Sequence, residues 1–569
     1  MDEADLVVRN ARVTTLHGNS PEAEAFAVRG EKFVAVGDEA EVMPLAGDGT
    51  RLVDAGGRRV IPGLNDSHLH AIRGGLQYHL ELRWDGVDSL QRGLEMIREQ
   101  AQRTPRGQWV RVMGGWSPFQ FTEKRMPTVA ELTQAAPEVP VLVLYAYSQV
   151  LVNRAGVAAL SLSPGQAPAD GGRYEFADEG LIVRGNTAVY ATISRLPGLA
   201  SVGDRLSSTR YFFRELNRFG LTSIVDAGAS GVTYPEDYWA VADLAAQPGF
   251  PVRLSTFLFA QKPGAELESW ETWTAQEQRN LNRAVARLNG YVLEGAGEVL
   301  AWSVHDYENF LAPRPELTGQ AISELTEVTR VIASHQWPIR IHATYDETIS
   351  RILDVFQQVF TETSYTSRWA IDHAETITPR NIARIKAMGG GIAVQNRLSF
   401  SGEFFAERYG QRAAASAQPL RELVDAGIPV GAGTDATRPA SYNPWISLFW
   451  MVTGKTVGGT QITSRDSRLS REEALRLYTA GSAWFSGEEH VKGRIAPGQY
   501  ADFALLSADY LSVPDEQITA IESVLTVTGG DVAYAAAPFE AFSPAPLAPA
   551  SPSWSPVAIF GGYQRGTRP

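Results

Sequence analysis

The feature that most constrains this chain is a change of hydrophobic period. From Leu6 to Val60, apolar and polar residues alternate between Gly-rich turns ("LVVRNARVTT", "AFAVRGEKFVAVG"), as short antiparallel strands require. The same alternation returns in "GRIAPGQYADFALLSADY" and "IESVLTVTGGDVAYAA". Between these ends the chain is written in strand, loop and helix units. In "RWAIDHAETITPRNIARIKAMGGGIAVQN" an apolar strand ends at His373, Thr378 can cap a helix with Pro379 at its first position, and Gly389 to Gly391 stop it. "PLRELVDAGIPVGAGTDAT" repeats the unit with Gly427 ending a helix, and Ser470 with Glu473 forms a capping box before "REEALRLYTA".

Such units predict a parallel α/β sheet. No Gly-rich phosphate loop follows the first strand, so a (β/α)8 barrel is favoured over a doubly wound sheet. The expected organisation is a composite β-sandwich from residues 1–62 and 487–569 and a barrel over 63–486, with an insertion over about 83–201 after the first strand. The insertion is rich in Trp, Gly and Pro and is expected to cover the barrel mouth. "VPVLVLYAYSQVLV" within it reads as a buried strand and its continuation, because it is shorter than the roughly 20 residues a membrane span needs. The Pro-, Ala- and Ser-rich tail is expected to run extended over the surface or a neighbouring subunit, and a homodimer is the expected assembly.

Composition narrows the chemistry. The 51 Lys and Arg against 64 Asp and Glu give a formal charge of −13 with no long basic block, so nucleic acid is not an expected partner. The opening "MDEADLVVRN" lacks the basic and apolar regions of a secretory signal, and a cytoplasmic location away from membranes is expected. With no cysteine among 569 residues, any metal must be held by His and carboxylates.

Nine histidines carry that possibility: His17, His68, His70, His79, His305, His335, His342, His373 and His490. Residues i and i+2 of a strand share a face, so His68 and His70 in "VIPGLNDSHLH" can aim at one ion. Taken alone, that pair is equally two polar residues at a strand end. "WPIRIHATYDE" ends a strand at His342, "WAIDHAE" at His373 and "IPVGAGTDAT" at Asp435. Barrel enzymes gather catalytic groups from the C-terminal ends of different strands, so these residues would converge on one mouth. The other five histidines lie off this pattern and read as structural or surface residues.

On these motifs the chain resembles the amidohydrolase superfamily, close to amidohydrolase family 3, the formamide deformylase-like metal-dependent hydrolases. "VIPGLNDSHLH", "GLTSIVDAG", "RIHATYDE", "AIDHAETITP", "VGAGTDAT" and "KGRIAPGQYADFALLSADY" each match a family segment, across nearly the whole chain. The resemblance implies that His68 and His70 bind the more buried of two metals and His342 and His373 the more exposed. It implies that Asp435 touches the buried metal and takes a proton from the attacking water. The family bridges its metals with a Lys or Glu from strand four. "YVLEGAGEVLAWSVHDYENF" holds no Lys, and Glu298 is the best replacement, ahead of Glu294 and Asp306. Without that bridge the site would hold one metal. Ser148 also departs from the family, standing where many relatives have a histidine.

One or two Zn2+ ions are therefore the expected cofactor, and hydrolysis of an amide, formamide, cyclic amide or carbamate the expected reaction. A deaminase, or a lyase or isomerase, could use the same ligands. A non-catalytic binding protein is disfavoured by the presence of all five strand-end ligands, and a serine hydrolase by the absence of a "GxSxG" segment. Trp84, Trp116, Tyr147 and Arg438 are the candidate substrate contacts, which suggests a small, mostly apolar or aromatic substrate.

Overall fold

The computed structural model of the chain describes residues 3–18, 20–169, 171–277, 290–306, 310, 314 and 316–564. Its centre is a sheet of eight parallel strands: β1 (Leu64–Leu69), β2 (Leu221–Asp226), β3 (Arg253–Leu258), β4 (Tyr291–Ala296), β5 (Ile339–Ala343), β6 (Trp369–His373), β7 (Gly391–Gln395) and β8 (Val430–Gly433). Each strand pairs with its chain-order neighbour, from β1 across to β8. Nearly every residue in them is buried, as in a parallel sheet covered by helices on its outer face.

The sheet curls into a nearly closed barrel at a seam between β8 and β1. Asp66 accepts a hydrogen bond from the Thr434 hydroxyl at 2.7 Å, and the Asp435 amide donates to the His68 carbonyl at 2.8 Å. Gly433 permits this approach: a Cβ there would lie 2.6 Å from the His68 nitrogen. The seam thus sets Asp435 beside His68 although 367 positions separate them in sequence.

The expected helices form, with local differences. Pro379–Ala387 begins at its proline, but Thr378 makes no side-chain cap; its amide instead donates to Asp346 at 2.8 Å. Gly427 ends Leu420–Ala426 in the left-handed region. The Ser470–Glu473 capping box starts Arg471–Arg476, which passes into a π turn over Leu477–Gly481, where the Ser482 hydroxyl donates to the Leu477 carbonyl at 2.7 Å.

Both chain ends build one sandwich. Phe503–Leu506 pairs antiparallel with Arg59–Pro62 inside a six-stranded sheet, and a four-stranded sheet carries Leu6–Arg9 and Ala25–Arg29. Val8, Phe26, Phe33, Val60, Phe503 and Leu525 fill one apolar core between them. The insertion forms a separate five-stranded sheet. There the apolar run of Val139 to Val152 is not one strand with a continuation: it doubles back as a hairpin of Val141–Tyr145 and Gln149–Asn153, turning at Ala146 with φ +43°. The tail lies across its own chain: the Ser551, Ser553 and Trp554 carbonyls bond His79, Arg103 and Gln100 at 2.7, 3.2 and 2.8 Å. Its last five positions, like Met1, Asp2, Asn19 and Asp170 in the other expected segments, fall outside the described residues. No helix among the described residues is long and apolar enough to cross a membrane.

Candidate metal centre

The barrel mouth collects six side chains from five strands. His68 lies in β1 and His70 one residue beyond it, where it begins helix Ala71–Gln77; Glu298 lies two residues past β4. His342 lies in β5, His373 ends β6, and Asp435 lies two residues past β8. All six are at most 4% exposed. His373 and Asp435 adopt φ of +81° and +58°, a strained left-handed backbone for non-glycine residues that local packing must hold in place.

Glu298 stands at the middle. Its Oε1 is 3.6 Å from Nε2 of both His68 and His70, while Oε2 is 3.0 Å from His342 Nδ1 and 2.9 Å from His373 Nε2. Asp435 Oδ1 lies 3.1 Å from His70 Nε2 and 3.6 Å from His68 Nε2. The carboxylate therefore divides the imidazoles into two sets, one for each oxygen.

Outer partners fix the rings. His70 Nδ1 donates to the Gly228 carbonyl, and Asp226 accepts from the amides of Gly228 and Ile72 at 2.7 and 2.8 Å, so the loops after β1 and β2 are locked together. His68 Nδ1 faces Asp372 Oδ1 at 3.3 Å, and Asp372 is itself paired with Arg340. His342 Nε2 faces Asp306 Oδ1 at 3.3 Å, and Asp306 accepts from the Thr344 and Tyr345 amides at 2.8 and 3.0 Å. Such carboxylate and carbonyl contacts hold metal-binding histidines in one tautomer. Asp306 orients a ligand from outside the cluster, and Glu294, which accepts from Ser255 at 3.1 Å, lies within β4 and away from it.

The residues fit a divalent cation. Three subsets have ligating atoms within 4.8 Å of one another: His68, His70 and Glu298; His68, His373 and Asp435; and Glu298, His342 and His373. Among the described residues, His68 Nε2 and His373 Nδ1 are buried with no hydrogen-bond partner. Burial disfavours charge on His342, yet Asp306 and Glu298 draw its pKa up to about 10. His373 moves the other way, to about 3, through burial and the charges of Arg397 and His342. Burial raises the Asp435 pKa, but the His68 and His70 imidazoles beside it, with the His373 ring, outweigh that and hold the group below the usual carboxylate range. Carboxylates buried at this density need positive charge nearby, and nitrogen and oxygen donors without thiolate suit zinc or a similar ion.

Above the cluster opens a pocket walled also by Arg73, Tyr147, Tyr190, Ser230, Phe259 and His305. Tyr147, named from the sequence, reaches it from the insertion and stacks on Tyr190 with ring centroids 4.9 Å apart. Trp84 and Trp116 do not reach it. They are 0% and 1% exposed, pack on each other at 5.2 Å and fill the insertion core with Phe121, because the large rings serve the insertion's own apolar interior. Arg438 is buried and its pKa falls through burial and the neighbouring Arg73 charge. His305 departs from the structural or surface reading: its ring lies 4.0 Å from that of His342 at the pocket wall. Phe259 and Ser230 follow the ends of β3 and β2, a position that could have marked them; Tyr190 carries no comparable signal.

A relative from Arabidopsis thaliana, "Protein LONG AFTER FAR-RED 3", is 25% identical over 93% of this chain and 92% of its own. The N-substituted formamide deformylase of Arthrobacter pascens is 22% identical over 93% and 98%. In fold, the chain is similar to an uncharacterised metal-dependent hydrolase from Pyrococcus horikoshii OT3, with a TM-score of 0.64 and 19% identity over 90% of this chain and 99% of that one. The model of the amidohydrolase family matches residues 51–534, taking in every strand of the barrel and the sandwich strands from Arg51 onward. The chain belongs to the amidohydrolase family of metal-dependent hydrolases.

Proposed function

We propose that this pocket hydrolyses a carbon–nitrogen bond in a small amide, formamide, cyclic amide or carbamate. The observation that carries the reading is the division of the imidazoles by Glu298, one carboxylate oxygen toward His68 and His70 and the other toward His342 and His373. These residues with Asp435 would hold two divalent cations, zinc by donor chemistry, with Glu298 shared between them. When bound, such ions supply a water that ionises near neutrality, against about 15.7 in bulk, and an electrophile for the substrate oxygen.

The chain's own groups do the rest. Asp435 Oδ2 lies 3.8 Å from an Arg397 nitrogen, whose charge favours the ionised carboxylate. Asp435 is the base that takes the water proton and returns it to the leaving nitrogen, a transfer worth about 10²–10⁴-fold. Tyr147, Tyr190 and Phe259 shed water from the approach and give an apolar or planar substituent a surface. Arg438 stands behind this wall and acts on it through charge. The sandwich of 1–62 and 487–569 and the barrel of 63–486, with its insertion of about 83–201, are proposed as the working divisions. A cytoplasmic homodimer is the proposed state, read by light scattering and fractionation.

The test is turnover of metal-loaded protein on formamides, aryl amides, cyclic imides and aminated heterocycles. Paired release of amine and carboxylate supports the reading. Ammonia release without a carboxylate product, or no turnover on any member, contradicts it.

A further inference from the structure

The pocket holds a positive charge that the hydrolytic machinery does not use. Arg73 lies three residues after His70, one turn into helix Ala71–Gln77, and lines the pocket while only 3% exposed. Its sole polar contact among the described residues is a long one, 3.5 Å from Nη1 to the Ser230 hydroxyl. Among the described residues, Nε and Nη2 are buried without a hydrogen-bond partner. Burial disfavours its charge, yet Tyr147, Tyr190, Asp435 and Glu81 around it outweigh that and keep the guanidinium charged without hydrogen-bonding it.

The surroundings sharpen the imbalance. Behind Arg73 lie Arg83, Arg111 and Arg438, at most 7% exposed, gathered around Glu81. Arg83 already occupies Glu81 at 2.7 Å and Asp85 at 2.9 Å. Four buried guanidiniums thus face two buried carboxylates. Burial lowers the Arg111 pKa to about 10, and Nε of both Arg111 and Arg438 also lacks a partner. Of these four, Arg73 alone reaches the pocket wall. Asp435 and Glu298 on the pocket floor are the opposing charges, and in the proposed function they are engaged by cations.

Resting on that function, we infer that Arg73 is the anchor for a carboxylate on the substrate. A planar guanidinium with two free, neighbouring N–H groups matches a carboxylate in bidentate fashion. Because Arg73 and His70 are one helical turn apart, on the order of 5–6 Å, the carboxylate stands only a few bonds from the scissile C–N bond. The substrate class is a small N-acyl amine bearing a carboxylate near the amide, with any apolar side group against Tyr147, Tyr190 and Phe259.

The test uses the zinc-loaded Asp435→Asn chain, silent in turnover, and calorimetric titration with N-formyl and N-acetyl derivatives of glycine, alanine and phenylalanine in both enantiomers. Each is paired with its carboxamide. At least one carboxylate should bind about 30-fold more tightly than its carboxamide, the scale of a charge-assisted hydrogen-bonded pair. Arg73→Met should erase that ratio and Arg73→Lys should keep part of it. The thermal midpoint supplies a second readout: Arg73→Met should melt higher than the parent, whereas a structural arginine would melt lower when removed. The inference is overturned by equal binding of every pair, by a preference that survives Arg73→Met, or by a lower midpoint. Hydrolysis of carboxamides alone by the parent enzyme would overturn it and leave the hydrolase reading standing. Carboxylate binding through Arg73 without hydrolysis would sustain the subsite and overturn the reaction.

Discussion

The floor and the roof of the pocket are made from different kinds of sequence. The floor consists of strand ends, and its side chains are positioned by the barrel and by buried partners such as Asp372, Asp306 and the Gly228 carbonyl. The roof comes from the insertion and from loops, and among the described residues the insertion's many aromatic rings reach the pocket through Tyr147 and Tyr190, the loops through Phe259 and His305. On the floor a polar residue has its role because the fold fixes where it must point. In the roof an aromatic residue is either core or contact, and local sequence does not distinguish the two.

The comparison breaks most sharply at Glu298. Glu298→Gln should cost about four decades of kcat, the scale seen when a central catalytic group is removed, with a thermal midpoint close to that of the parent. A loss below tenfold in steady-state kinetics would show that the floor does not depend on its shared carboxylate. For the roof, Trp84→Ala should cost about 3–5 kcal/mol in denaturant unfolding, as for a fully buried ring, while Tyr147→Ala should raise KM with little change in stability. The reverse pairing would mean that Trp84 is the contact and Tyr147 the packing residue.

Smaller effects test the outer partners of the floor. Asp306→Asn should weaken metal binding about 10–100-fold, as loss of an orienting carboxylate does, read by competition with a chromophoric chelator. In the metal-free chain, the raised His342 pKa of about 10 gives stability that is complete below about 6.5 and lost as pH rises toward 10. The depressed His373 pKa of about 3 gives stability that is complete above about 6.5 and lost as pH falls toward 3. The chelated protein should therefore melt highest near neutrality. Metal must displace the His342 proton, so apparent affinity should climb about tenfold per pH unit between pH 7 and 9. A flat profile would show that His342 is already neutral.

The same contrast explains what was legible beforehand. His68, His70, His342, His373 and Asp435 stand at ends of strands whose apolar runs and following turns mark those ends locally, and the barrel supplies the rest of the geometry. Glu298 was legible only through its match to a family segment, because it follows β4 by two residues in a loop with no period of its own. Arg73, Tyr190 and His305 were not legible. Their place at the pocket depends on how a helix turn and two excursions of the chain dock, and such long-range packing leaves no local pattern. Trp84 and Trp116 misled for the same reason: ring size signals burial, and the insertion had its own core to fill. The hairpin at Ala146 was hidden because both arms are apolar and no Gly or Asn marks the turn.

The central claim is that one carboxylate serves two cation sites, and metal stoichiometry tests it most directly. Elemental analysis of the purified chain, after dialysis against zinc and then against metal-free buffer, should give two equivalents per chain for the parent and one or fewer for Glu298→Gln. Fewer than about half an equivalent in the parent, or an unchanged content in the variant, would contradict the account.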